Sequence, residues 1–192
     1  MMSERISIHE SEISRQEFPD RWSKDLIGGP EVPTTSGFSL GVAEYTAPEF
    51  GEIQRHDDQE EVYVAAGAGR ITIAGREHDA VPGAAFLLPP GTEHATRRTG
   101  DEPVRVVYTH AAPTGEQTMG VSTTESADFG DARAHDDQEA LYVLAGEGEI
   151  RVGDRVIEAR PGTAVYVPPG TPHARRCTGD APLRTLFAHG PV

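Results

Sequence analysis

The chain has 192 residues, 36% of them hydrophobic, 25% charged and only 6% aromatic, which suits a globular protein with an aliphatic core. Its formal net charge of −14 makes nucleic acid and anionic membrane surfaces poor partners. Cys177 is the only cysteine, so no internal disulfide can form and no thiolate cluster can hold a metal.

Residues 1–36 are polar, with Pro30 and Pro33 near their end and no apolar run suited to a signal peptide or membrane span, so the cytoplasm is the default compartment. This segment reads as an arm lying over the rest of the chain or over a second copy in a homodimer. Short strands follow in GFSLGVAEYTA (37–47), EVYVAAG (61–67), RITIAG (70–75), AAFLLP (84–89) and VRVVYTH (104–110), rich in β-branched and aromatic residues and bounded by Gly or Pro. A polar linker spans 112–117, and residues 118–192 then repeat the pattern as MGVSTT, ALYVLAG, EIRVGD, TAVYVP and LRTLFAH. GAG at 67–69 and GEG at 146–148 are tight-turn sequences. No helical period occurs in either repeat. The expected fold is all-β: an antiparallel sandwich or barrel in each half.

The halves are copies. HDDQE occurs at His56–Glu60 and again at His135–Glu139, a shift of 79 (135 − 56). The same shift, without a gap, lays Phe50-Gly51 on Phe129-Gly130, Pro89-Pro90-Gly91-Thr92 on Pro168-Pro169-Gly170-Thr171, His94 on His173 and His110 on His189. Such a register marks an internal duplication in which each copy is one structural unit.

The repeated residues carry metal chemistry. Side chains alternate faces along a strand, so Gln54 and His56 share a face, and a turn at Asp57–Gln59 lets Glu60 aim at the same point. His94 follows a rigid Pro-Pro-Gly corner that fixes its direction. Two imidazoles and one carboxylate with coordination positions left over suit non-heme Fe(II), and also Mn, Ni, Co or Zn. His135, Glu139 and His173 repeat the set. A lone histidine is more often structural, but recurrence at fixed spacing favours metal over a hydrogen-bonded core. Thr96 and Arg98 share a face with His94, and Arg175 and Cys177 are their counterparts. Arg98, Arg133 and Arg175 are candidates for an anionic substrate, against the blander reading of solvated rim charges. His110 and His189 read as surface histidines at hairpin ends, with a supporting role behind a metal ligand as the alternative. Asp57, Asp58, Asp136 and Asp137 read as solvated turn residues, and Cys177 as a small buried filler.

These motifs resemble the cupin superfamily, in particular the two-domain bicupins. Glu60 to Gly67 and Glu139 to Gly146 keep that family's Glu-x6-Gly spacing. Gly83, Pro89, Gly91 and His94, and Gly162, Pro168, Gly170 and His173, fit its second motif. The resemblance implies a jelly-roll barrel over 37–111 and another over 118–192, with the ligand positions lining each. It departs from the family at one ligand: the first metal histidine is Gln54 in one copy and Arg133 in the other. A glutamine oxygen can ligate a metal, whereas an arginine cannot. Arg133 is left with two roles, pairing with Glu139 in place of a metal or receiving a substrate carboxylate. The metal set is thus Gln54, His56, Glu60 and His94 in the first copy, and His135, Glu139 and His173 in the second, with tighter binding expected in the first. Glu60 and Glu139 are the candidate catalytic bases.

Small cupins of this appearance include the quercetinase-like dioxygenases. The resemblance therefore implies a metal-dependent dioxygenase acting on a phenolic, enolic or keto compound. The alternatives are a non-redox isomerase, cyclase or decarboxylase of a small acid, or a non-enzymatic small-molecule-binding protein.

Overall fold

The computed structural model describes residues 5–113 and 117–192, so part of the expected linker lies outside the described residues. Among them there is no α-helix: one 3-10 turn at Glu10–Glu12 accompanies seventeen strands. No helix is long and apolar enough to cross a membrane.

The strands repeat as the sequence does. β4 (Ser39–Tyr45), β5 (Gln59–Ala66), β6 (Gly69–Ile73), β7 (Arg76–Ala80), β8 (Ala85–Leu88), β9 (His94–Arg98) and β10 (Val104–Ala111) form the first set. β11 (Thr118–Thr124), β12 (Gln138–Ala145), β13 (Gly148–Val152), β14 (Arg155–Ala159), β15 (Thr163–Val167), β16 (His173–Cys177) and β17 (Leu183–Gly190) form the second. The largely exposed β7 and β14 lie outside the segments that sequence patterning picks out.

The N-terminal segment is more than an arm. β1 (Ser7–His9), β2 (Gln16–Glu17) and β3 (Arg21–Ile27) all join sheets. Two compact units result. One contains Ile13–Asp25 and Leu40–Pro113, the other the residues up to Glu12, Leu26–Ser39 and the second repeat. They are called the first and second unit below.

In the first unit a sheet ordered β2-β3-β4-β10-β5-β8 and a second ordered β7-β6-β9 enclose an aliphatic core that includes Val62, Val64, Ile71, Leu88 and Val104. The polar segment 13–25 is held by Trp22. Its Nε1 donates to Glu44 at 3.1 Å, and Arg15 stacks on its ring at 4.4 Å. In the second unit the sheets are β1-β15-β12-β17-β11 and β14-β13-β16, around Leu141, Val143, Ile150, Val167 and Leu183, which are the same positions shifted by 79. Here β1 pairs with β15, and the Tyr142 hydroxyl donates to Glu10 at 2.7 Å. Cys177 is 6% exposed and belongs to this core.

The glycine that closes the Glu-x6-Gly motif has a steric cause. Gly67 has φ +78°, and a Cβ there would lie 2.0 Å from the Pro103 carbonyl oxygen; Gly146 meets the Pro182 carbonyl at 2.2 Å. The turn and the close approach of the strand leading into β10 both exclude a side chain. Gly75 has nearly the same φ, +77°, but open space around it. Gly75→Ala is expected to cost about 1 kcal/mol, the left-handed backbone penalty alone. Gly67→Ala adds overpacking and is expected to cost about 3 kcal/mol or more in urea unfolding.

Candidate metal centres

Each unit brings one carboxylate and several imidazoles to a point inside its sheets. In the first unit Glu60 is 7% exposed near the start of β5. His94 opens β9 and forms an isolated bridge with Gln54, the two exchanging backbone hydrogen bonds of 2.8 and 3.0 Å. His94 Nε2 lies 3.1 Å from Glu60 Oε2, and His56 Nε2 lies 3.6 Å from the same oxygen. In the second unit Glu139 is 1% exposed, with His173 Nε2 at 3.0 Å and His135 Nε2 at 3.3 Å from its Oε2. Both triads have one ligand atom per residue close enough to share a single ion.

The proton positions favour a cation. His94 Nδ1 faces the Thr92 carbonyl at 3.1 Å, and His173 Nδ1 faces the Thr171 carbonyl at 3.2 Å. A carbonyl only accepts, so each Nδ1 carries a proton and each Nε2 is the ring atom turned to the carboxylate. His94 Nε2 and Glu60 Oε2 are buried without a hydrogen-bond partner. With the imidazole neutral, two lone pairs would oppose one another across 3.1 Å, so the pair requires either a proton on Nε2 or a metal cation between the two atoms. Burial pulls the His94 imidazole down, but the Glu60 carboxylate outweighs it and leaves the group above its ordinary value. His173 behaves alike beside Glu139. Burial pushes the Glu139 carboxyl up, yet His173, Arg175 and His189 together hold it below the usual range. His56 is pulled down by burial, with His110 and His94 adding to the effect against Glu60. A proton can satisfy one of the converging lone pairs. A divalent ion satisfies all of them, so the residues fit such an ion.

The remaining candidates divide. Gln54 sits opposite His94, but its Nε2 donates to the Tyr45 hydroxyl at 3.3 Å. Arg98 donates to the carbonyls of Thr46 and Gly100 at 2.6 and 2.7 Å, on the backbone of its own unit. Arg133 bridges to His173 and is exposed at the rim of a cavity. The arginine hydrogen-bonded to Glu139 is Arg175, whose Nη2 donates to Oε1 at 3.3 Å. Burial lowers the Arg175 pKa, with Arg133 adding to this and Glu139 opposing it.

Two readings from the sequence change. Asp58 and Asp137 are not merely solvated turn residues: Asp58 Oδ1 lies 3.0 Å from His110 Nδ1, and Asp137 contacts Nδ1 of both His135 and His189. His110 and His189 are not hairpin-end surface residues. They pair across strands with Glu60 and Glu139 and turn to the same face. The repetition of all four residues at the shift of 79 was the available signal.

The units differ in what surrounds the carboxylate. Arg175 Nη1 donates to the hydroxyls of Ser122 and, at 2.8 Å, Thr185. At the matching positions the first unit has Thr96, Ala43 and Val106, all buried. Thr124 is matched by Tyr45, which belongs to the first unit's core. The second unit has in that region a cavity of about 380 Å³ lined by Ser122, Thr124, Arg133, Arg175, Phe187 and the metal-ligand candidates.

Similarity to known proteins follows the same division. The Cupin domain family model matches residues 42–110 and 121–189. Protein SchB of Streptomyces halstedii is 33% identical over 102 residues, covering 50% of this chain and 73% of that protein. An uncharacterized protein, MJ1618, of Methanocaldococcus jannaschii is 33% identical over 54 residues, covering 28% of this chain and 43% of that one. Among solved structures, a formate complex of Lactobacillus farciminis oxalate decarboxylase aligns with TM-score 0.85 at 11% identity, over 100% of this chain and 88% of that one. A Bacillus subtilis oxalate decarboxylase with Mn(II) centres aligns with TM-score 0.83 at 12% identity, over 98% and 78%.

Two unit charges 4 Å apart interact by about 4 kcal/mol at an effective dielectric near 20, so Arg175 opposes a divalent ion on Glu139. In a His94→Ala background, Arg175→Met is expected to tighten Mn(II) binding to the second unit by about tenfold or more in calorimetric titration. Arg133→His, at an exposed position, is expected to tighten it less. The reverse order would show that Arg133 is the excluding charge.

Proposed function

Because the chain belongs to the cupin family, with two Cupin domains in tandem, we propose that it is a metal-dependent enzyme acting on a small carboxylic acid in its second unit, by non-redox decarboxylation or isomerisation. The observation that carries this reading is Arg175, a half-buried guanidinium held by Ser122 and Thr185 beside Glu139 in a cavity of about 380 Å³. A cavity of that size suits an acid of a few carbons. A planar guanidinium matches a carboxylate in two-point geometry. Solved proteins of the same fold include oxalate decarboxylases, which supports the reaction class.

The chain's residues divide the work as follows. Arg175 holds the substrate carboxylate, and Arg133 at the rim draws the anion in. Once the substrate engages Arg175, Glu139 Oε1 is released from that hydrogen bond and serves as proton acceptor. His135, Glu139 and His173 would hold the divalent ion, which supplies Lewis-acid polarisation of a substrate oxygen. Ser122 and Thr185 keep the guanidinium from swinging out of the cavity. The first unit has the metal-ligand set without the arginine cradle, so its ion would have a structural part.

A second reading, a dioxygenase of a phenolic, enolic or keto compound, rests on the two-histidine, one-carboxylate set. Oxygen consumption separates the two. With Mn(II)-loaded protein and a panel of small mono- and dicarboxylic acids, we expect acid consumption, followed by NMR, without stoichiometric O2 uptake. Arg175→Met should raise KM or abolish turnover. Stoichiometric O2 uptake would establish the dioxygenase reading instead. Binding without turnover of any acid would leave a small-molecule-binding protein.

A further inference from the structure

We propose that His110 and His189 are metal ligands, supplying from β10 and β17 the third imidazole that positions 54 and 133 do not provide. The inference rests on the reading of the two clusters as metal centres and names a ligand that the cupin motifs do not contain.

Four observations carry it. The first is register. His110 lies directly opposite Glu60, and His189 directly opposite Glu139, so each imidazole shares a face with the central carboxylate. The second is aim. His110 Nε2 lies 3.9 Å from Glu60 Oε1, and His189 Nε2 lies 3.9 Å from Glu139 Oε1. That distance is too long for a hydrogen bond and suits two ligand atoms separated by a shared ion.

The third observation is the support behind each ring. Asp58 lies 3.0 Å from His110 Nδ1, and Asp137 lies 3.2 Å from His189 Nδ1. A carboxylate on Nδ1 fixes the proton there and leaves the Nε2 lone pair directed at the site, an arrangement typical of metal-bound histidines. Asp58 or Asp137 with its two histidines could be taken for a separate ion site. The distance of 3.0 Å between Asp58 Oδ1 and His110 Nδ1 argues otherwise, because it is already a satisfied hydrogen bond.

The fourth observation is packing. His56 and His110 ring centroids are 4.7 Å apart, and those of His135 and His189 are 4.5 Å apart. His56 and His94 are 5.3 Å apart, and His135 and His173 are 5.1 Å apart. One imidazole thus stands between two others, in both units. Gln54 meanwhile bonds to Tyr45, and Arg133 has no lone pair to give. The histidine absent from the motif is replaced from a different strand.

The test uses the full chain with one centre disabled, Glu139→Gln to isolate the first unit and Glu60→Gln to isolate the second. Co(II) alone is titrated calorimetrically, and the imidazoles on bound Cu(II) are counted by pulsed electron paramagnetic resonance. We expect one ion per intact centre with three imidazoles. His94→Ala, as control, should lower the count to two. His110→Ala and His189→Ala, each in its own background, should also give two imidazoles and weaken Co(II) binding by about tenfold to hundredfold. Asp58→Asn should keep three imidazoles and weaken binding less, which gives a readout if His110→Ala lowers the melting temperature too far for titration. An unchanged count and affinity in His110→Ala and His189→Ala would overturn the proposal while leaving the metal reading intact. Two ions per centre, one of them lost with His110, would overturn it in favour of a separate Asp58 site. No ion on the unmutated chain would remove the metal reading and this inference with it.

Discussion

Glu139 is 1% exposed, and a carboxylate buried to that degree costs several kcal/mol unless charge or hydrogen bonds compensate it. Much of the second unit's local architecture can be traced to that compensation. β12 lies between β15 and β17, which places Glu139 opposite Val167 on one side and His189 on the other. The bridge from Arg133 to His173 carries a second imidazole to Oε2. The turn before β12 returns His135 to the same oxygen. Asp137, in that turn, then lies beside Nδ1 of both His135 and His189. The first unit meets the same constraint at Glu60 with the same residue types.

The constraint is shared, but its surroundings are not. Four positions change together between the copies: Ala43 to Ser122, Tyr45 to Thr124, Thr96 to Arg175 and Val106 to Thr185. A half-buried arginine needs hydrogen-bond acceptors, and two of these changes supply hydroxyls that accept from it. A third replaces a tyrosine with a smaller threonine beside the cavity. Changing Thr96 alone to arginine in the first unit would bury a guanidinium against Ala43 and Val106, with no hydroxyl to receive it. The polar cradle is therefore a coupled set, and it distinguishes the surroundings of the second centre from those of the first.

The duplication made most of the strands legible in advance, because a gapless shift of 79 lets each weak strand signal be read twice. What escaped did so for physical reasons. β7 reads REHDA with four of its five residues exposed, so no alternation of apolar and polar residues betrays it. β3 gains its place through Trp22 and its partners Glu44 and Arg15, contacts that short-range patterning does not reveal. The triads His56–Glu60–His94 and His135–Glu139–His173 were legible because their spacing is local or follows a Pro-Pro-Gly corner. His110 was not, since its neighbour Glu60 is set by the pairing of β10 with β5, a register that the sequence does not encode locally. Arg175 was legible as a residue on the right face. Its contact with Glu139 was not, because Ser122 and Thr185 position it and they come from two other strands.

Tight metal binding and substrate binding place opposite demands on such a centre. An ion is held best where its carboxylate has no competing cation and low-dielectric walls exclude water, and Ala43, Tyr45 and Val106 provide such walls in the first unit. A substrate needs an open cavity and a counter-charge, and that counter-charge must compete with the ion for the same carboxylate. Arg175 does so on Oε1 while His135 and His173 face Oε2, so Arg175 and these two histidines meet different oxygens of Glu139. On the reading proposed above, an anionic substrate that takes Arg175 would end the competition on Oε1 while Oε2 stays with the ion. Substrate and metal would in this way be linked through one carboxylate: each should raise the affinity of the other by the same factor in the second unit. The first unit, with threonine at the matching position, has no such coupling.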